Sequence, residues 1–271
     1  MMKWKNIKLQ GCLLAVLVLG VAGGANAALV VDRGLPDSNL NNAAGSDRSN
    51  VAWGFNGDFL AGDDFSLGAL NPGQSAWQID QLTLWTIGSE STLGDRFDSL
   101  TLFLGADNGS STPAAAKANL TGNDTDNSDV QVSKVEYPGT SFDYQGSGGG
   151  SLNIWQIDFF NLGLFDEGEY LFALAGAGEA ITFNHASNAA LSGTPQDGAD
   201  GSYRWFSGNA LDLGITAGGS IDSAGNGWDK SSDINIQVHA TQVPEPSIVG
   251  LMSLGLLGFF VARRRSTRIT R

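Results

Sequence analysis

Trp77–Ile87, read Trp-Gln-Ile-Asp-Gln-Leu-Thr-Leu-Trp-Thr-Ile, is the stretch that decides the fold. Apolar and polar residues alternate with a period of two, the repeat of a strand with one face in a core. The alternation breaks once. Trp77 and Ile79 share one face, and Leu82 and Leu84 take over one step out of phase. A β-bulge near Gln81 reconciles the two registers. Two other stretches repeat the pattern. Ser151–Phe160 puts Trp155, Ile157 and Phe159 on one face. Asp233–Thr241 points Ile234, Ile236, Val238 and Ala240 inward, with Asp233, Asn235, Gln237, His239 and Thr241 outward.

Working outward, shorter strand candidates fill the chain. They are Val51–Phe55, Asp64–Leu67, Leu100–Leu104, Val130–Tyr137, a strand opening at Gly168, Ile181–His185 and Tyr203–Phe206. Gly, Asn, Asp and Ser separate them, and the chain holds 37 glycines, a turn-rich composition. Leu100, Leu102 and Leu104 alternate with Thr101 and Phe103, as a strand buried on both faces would. Ala106–Asp129 reads as a polar loop. Within it Pro113–Leu120 has the residues for one or two helical turns, with Thr112 as cap. Gln145–Ser151 reads as a hairpin connection. About ten short strands without a long helix predict an all-β fold, an antiparallel β-sandwich or jelly-roll-like single domain over residues 28–241. A barrel is the second choice.

The N-terminus reads as a signal peptide, residues 1–27. Lys3, Lys5 and Lys8 precede the apolar Leu13–Val21, and Ala25-Asn26-Ala27 gives small residues where a signal peptidase reads. Cleavage is expected after Ala27, leaving Ala28 first. Cys12 is the one cysteine. It precedes the apolar run instead of following it, which argues against a lipid attachment. It leaves with the leader, so the mature body is expected to stand without disulfides.

The C-terminus, residues 242–271, has three parts. Val243-Pro244-Glu245-Pro246 comes first, then the uncharged Ser247–Ala262, then Arg263, Arg264 and Arg265. Sixteen residues rise about 24 Å as a helix, short of a bilayer core unless the arginines snorkel. This predicts a transmembrane helix, transiently inserted in the inner membrane with its basic end cytoplasmic. The two prolines are expected to keep the motif extended, unfolded and open. Motif, span and basic end in this order resemble the PEP-CTERM sorting signal of Gram-negative bacteria. That resemblance implies processing near the motif by an exosortase-like membrane protease, export to the cell surface or medium, and a link with extracellular polysaccharide or biofilm. The body also resembles the sandwich domains found upstream of such signals, through Asp63-Asp64-Phe65, Trp77-Gln78-Ile79 and Trp228-Asp229.

Charge narrows the partners. Of 15 Lys and Arg, three lie in the leader and five beyond Pro246, so residues 28–246 carry a formal −21 against −13 for the whole chain. Such a body excludes nucleic acid, whose phosphates need basic patches. Asp63 and Asp64 are the candidate metal ligands, as part of a structural Ca²⁺ site; the competing reading is a turn with solvated carboxylates. Asp124, Asp126 and Ser128 mimic the start of an EF-hand loop, but Asp129 and Val135 stand where Gly and Glu are required. Trp77, Trp85 and Trp155 read as core. Trp205 and Trp228, beside turn residues, are the candidate carbohydrate platform. No nucleophile, His-pair or paired-Cys motif is present among these residues. A non-catalytic binding or structural protein is expected; the alternative is a secreted carbohydrate-active enzyme, a glycoside hydrolase or lyase.

Overall fold

The computed structural model describes residues 27–36, 51–53, 60–135, 144–145, 151–177, 182–185, 197–207, 214–222 and 233–245. Residues 1–26, with Ala25, lie outside these residues, as do Trp228, Pro246, residues 247–262 and Arg263–Arg265. Among the described residues no helix is long and apolar enough to cross a membrane.

The described chain is built of strands: β1 (Ala28–Asp32), β2 (Val51–Trp53), β3 (Leu60–Leu67), β4 (Gln74–Gly88), β5 (Ser99–Ala106), β6 (Thr112–Thr121), β7 (Asp124–Thr125), β8 (Val130–Lys134), β9 (Tyr144–Gln145), β10 (Ser151–Phe165), β11 (Gly168–Ala177), β12 (Thr182–Asn184), β13 (Ser202–Ser207), β14 (Gly214–Asp222) and β15 (Ile236–Pro244). They form two antiparallel sheets packed as a sandwich. The first runs β1-β15-β4-β10-β8, with β2, β12 and β9 at its margins. The second runs β14-β13-β3-β11-β5-β6-β7.

The core follows the alternation. Trp77, Ile79, Leu82, Leu84, Trp155, Ile157, Phe159, Ile236, Val238 and Ala240 from the first sheet meet Phe65, Leu100, Leu102, Leu104, Tyr170, Phe172 and Leu174 from the second. Each such apolar side chain contributes about 1.5–3 kcal/mol on burial. Trp85 faces the other way with Ile87 and Ile154, in a smaller buried cluster.

The bulge sits where the phase breaks. Ala240 pairs with Ile79 and His239 with Gln81, leaving Asp80 as the extra residue. On the other side Gly163 pairs with Ile79 and Phe160 with Gln81. Asn161, at φ 55°, and Gly163, at φ 103°, take the left-handed conformations that this crossing requires.

The second sheet curls until its ends meet. Ile215 of β14 pairs with Thr112 of β6, and Gly214 with Pro113. The ring encloses Leu60, Phe103, Leu171, Ala173, Ala175, Phe206 and Ile215 on the side away from the first sheet. Phe103 therefore serves one core and its neighbours Leu102 and Leu104 the other, as a doubly buried strand must.

Three expectations are corrected. Pro113–Leu120 is not helical: it lies on β6, pairing with β5 through Leu100–Ala118 and Leu102–Ala116. An unpaired edge beside a buried strand outweighs the helix propensity of four alanines. The polar loop over Ala106–Asp129 accordingly holds β6 and β7. Asp233 and Asn235 do not point into water; both are fully buried, because residues 200–201 and His185 cover that end of the strand.

Candidate functional site

Two features stand out from the scaffold: a buried charged cluster at one end of the sandwich and the sorting motif at the other.

The cluster centres on Arg33, which immediately follows β1. Its guanidinium is fully buried, and its five N–H groups meet five acceptors. Nη1 donates to Asp63 Oδ2 at 2.9 Å and to the Ile234 carbonyl at 3.2 Å. Nη2 donates to the carbonyls of Asp64 at 2.7 Å and Gly198 at 3.2 Å, and Nε to that of Asp197 at 3.1 Å. The first strand of the body is thereby tied to β3, to the approach to β15 and to the 197–198 turn.

Asp63 lies mid-strand on β3 and points inward, like Ala61 and Phe65. It also accepts the N–H groups of Ile234 at 2.6 Å and Asp64 at 2.9 Å. Burial pushes its carboxyl up to about 8; Arg33 and the Ile234 N–H oppose that rise, and nearby Asp233 and Asp64 add to it. Asp233 is also raised by burial, against Arg33 and the N–H groups of Asp200 and Gly201. One guanidinium thus faces two buried carboxyls, and like charges at close range favour keeping one of them protonated.

Asp64 points to the opposite side of β3, where Oδ2 accepts from Nε of Arg204 at 2.7 Å and pairs with its Nη2. Burial raises its pKa and Arg204 lowers it. The solvated-turn reading of Asp63-Asp64 is therefore corrected: both are strand residues engaged by arginine. The pleat separates them, so a cation bound by either would compete with a guanidinium. Among the described residues no group of three or more His, Cys, Asp or Glu side chains is placed to hold a metal.

Asp126, fully exposed, accepts the Asn119 N–H at 2.7 Å and its side-chain amide at 2.7 Å, which lower its pKa. The EF-like stretch is thus the returning arm of the β6–β7 hairpin, with Asp124 on β7 and Asp126 bonded back to Asn119. Trp205 sits on β13, half-buried, opposite Ala61 and Gly219. Trp228 lies outside the described residues, so the pair is not brought together here.

The sorting motif begins inside the fold. β15 does not stop at Thr241. Gln242 pairs with Trp77, Val243 with Ala76 and Pro244 with Gln74. The Glu245 N–H donates to the Gly73 carbonyl at 2.9 Å, and Ser75 Oγ to the Val243 carbonyl at 3.3 Å. The expectation of an unfolded, open motif is corrected for these residues. Pro244 is tolerated because it is the last residue of β15, at the margin of the ladder. Ala28 pairs with Ala240, so the start of the body and the exit of the tail lie side by side at the same end of the sandwich.

Sequence reasoning passed over Arg33. Its signal was available: a lone cation within Ala-Leu-Val-Val-Asp-Arg-Gly, in a body so acidic that each cation has many carboxyl suitors. Comparison with curated proteins and with solved structures gives no match. Residues 242–265 match the PEP-CTERM protein-sorting motif, and the chain is accordingly an exported protein that carries this signal for processing by exosortase and sorting to the cell surface.

Proposed function

We propose that the acidic sandwich is the working part, delivered to the cell surface as a non-catalytic binding or structural component associated with extracellular polysaccharide. The observation that carries this reading is the continuity of β15 into the sorting motif: what the processing step delivers is a folded body, cut at its own edge. The engagement of Asp63 and Asp64 by arginines, and of Asp233 by the backbone N–H groups of Asp200 and Gly201, supports a structural use of these carboxyls. An acidic surface favours partners that are neutral or cation-bridged over bare polyanions.

The test is fractionation of cells that make the full chain, with the surface polysaccharide left intact or digested enzymatically. The processed body is expected in the matrix fraction and is expected to be released by digestion. A body that stays with washed, polysaccharide-free cells contradicts the association. New reducing ends formed from the polysaccharide by the purified body contradict the non-catalytic role.

A further inference from the structure

The sorting motif is held by the body it is meant to release. Val243, Pro244 and Glu245 run along the first residues of β4, in register with Ala76, Gln74 and Gly73. Side chains reinforce the seam just upstream. Thr241 Oγ1 donates to Asp80 Oδ2 at 2.8 Å, and the Gln242 side chain accepts from the Asn71 N–H at 3.1 Å. Asp80 is the bulged residue of β4, so the register shift places its carboxylate opposite Thr241. The Asn71–Gly73 turn, with Gly73 at φ 83°, turns its carbonyl to Glu245. Only one residue separates Glu245 from the apolar run that starts at Ser247.

A protease binds its substrate as a single extended segment and needs the backbone groups that a sheet neighbour occupies. When opening and closing are fast, cleavage of a docked segment tracks the population of the opened form. We propose that residues 241–245 form a latch, and that Gly73–Ala76 and Asp80 are positioning residues for the processing reaction. Exosortase takes the motif only after this last part of β15 peels from β4. The rest of β15, between β1 and β4, stays in place. The latch makes processing sensitive to the folded state of the body: a loosened body presents its motif sooner. This inference rests on exosortase processing of the motif, and the wild-type chain in the same experiment reports on that separately.

The test uses the full chain in cells that contain exosortase, with intact mass as the readout. The variant Ala76→Cys/Val243→Cys places a disulfide across a paired position, and the leader removes the one natural cysteine. Oxidised, it is expected to be cut about tenfold more slowly than the same chain reduced. The variant Ser75→Ala/Asp80→Ala leaves the motif intact and weakens the seam. It is expected to be cut faster than wild type, with faster amide exchange at Val243 and Glu245. Equal cleavage of the oxidised and reduced chains overturns the latch. If the cysteine variant is refractory in both states, the loosened variant decides. Faster exchange without faster cleavage, or unchanged exchange, overturns the latch. An uncut wild type removes the processing premise and the latch with it.

Discussion

Arg33 and Asp63 meet at 2.9 Å with both side chains fully buried. One residue immediately follows the first strand, β1, and the other lies mid-strand on β3 of the opposite sheet. Their contact closes the sandwich at the end away from the tail. Removing one partner leaves the other charge, or its hydrogen-bonding groups, buried without compensation. Arg33→Met is therefore expected to destabilise the body by about 3–5 kcal/mol, read from urea unfolding. It also strands the carbonyls of Asp64, Ile234, Asp197 and Gly198. For that reason Arg33→Met/Asp63→Leu is expected to recover only part of the loss. A single variant within about 0.5 kcal/mol of wild type contradicts the clasp.

The same residues set the pH dependence. The folded Asp63 carboxyl titrates at about 8 against 3.8 ordinarily. Between these values the native chain holds a proton that the unfolded chain has released, so stability falls as pH rises. Asp64 and Asp233 are raised by burial as well and act in the same sense. Asp126 is lowered and acts in the opposite sense, but it is fully exposed. Thermal unfolding is expected to show a falling midpoint between about pH 4 and pH 8, and Asp63→Asn a shallower fall. A midpoint that rises across this interval contradicts the assignment.

Gly62 marks a close approach in the second sheet. A Cβ there would lie 2.1 Å from the Phe172 carbonyl oxygen, 2.5 Å from Phe206 and 2.8 Å from Ala173. The first obstacle is backbone and cannot swing aside. Gly62→Ala is expected to cost at least about 1–3 kcal/mol, measured by the same unfolding titration. Gly68→Ala, which meets nothing within 4 Å, is the control and is expected to change little.

Calcium has a direct test. Asp63 and Asp64 face opposite sides of β3, each engaged by an arginine. Melting with and without a chelator is expected to give one midpoint. A fall in the midpoint on chelation would show that a metal stabilises the body after all.

Where the sequence was legible, it was so for a physical reason. Alternation reports which face a side chain takes, so the inward set of β15 and a phase slip near Gln81, found one residue away at Asp80, were readable from Trp77–Ile87 outward. Alternation does not report what covers the other face. Asp233 and Asn235 read as solvent-facing and are buried, because residues distant in sequence lie over them. The alanines of Pro113–Leu120 speak for a helix locally, while the unpaired edge of β5 speaks for a strand and prevails. The paired prolines marked the sorting motif. They concealed its docking, since the prohibition on proline concerns a ladder's interior and Pro244 stands at its end. Arg33 showed in the sequence only as a lone cation in an acidic body; the carbonyl acceptors that make it a clasp leave no trace in residue type.

The most direct measurement is the intact mass of the wild-type chain recovered from cells that contain exosortase and from their medium. The account predicts a product that begins at Ala28 and ends near Pro246, without Arg263, Arg264 and Arg265. A product that still carries these three arginines would contradict it.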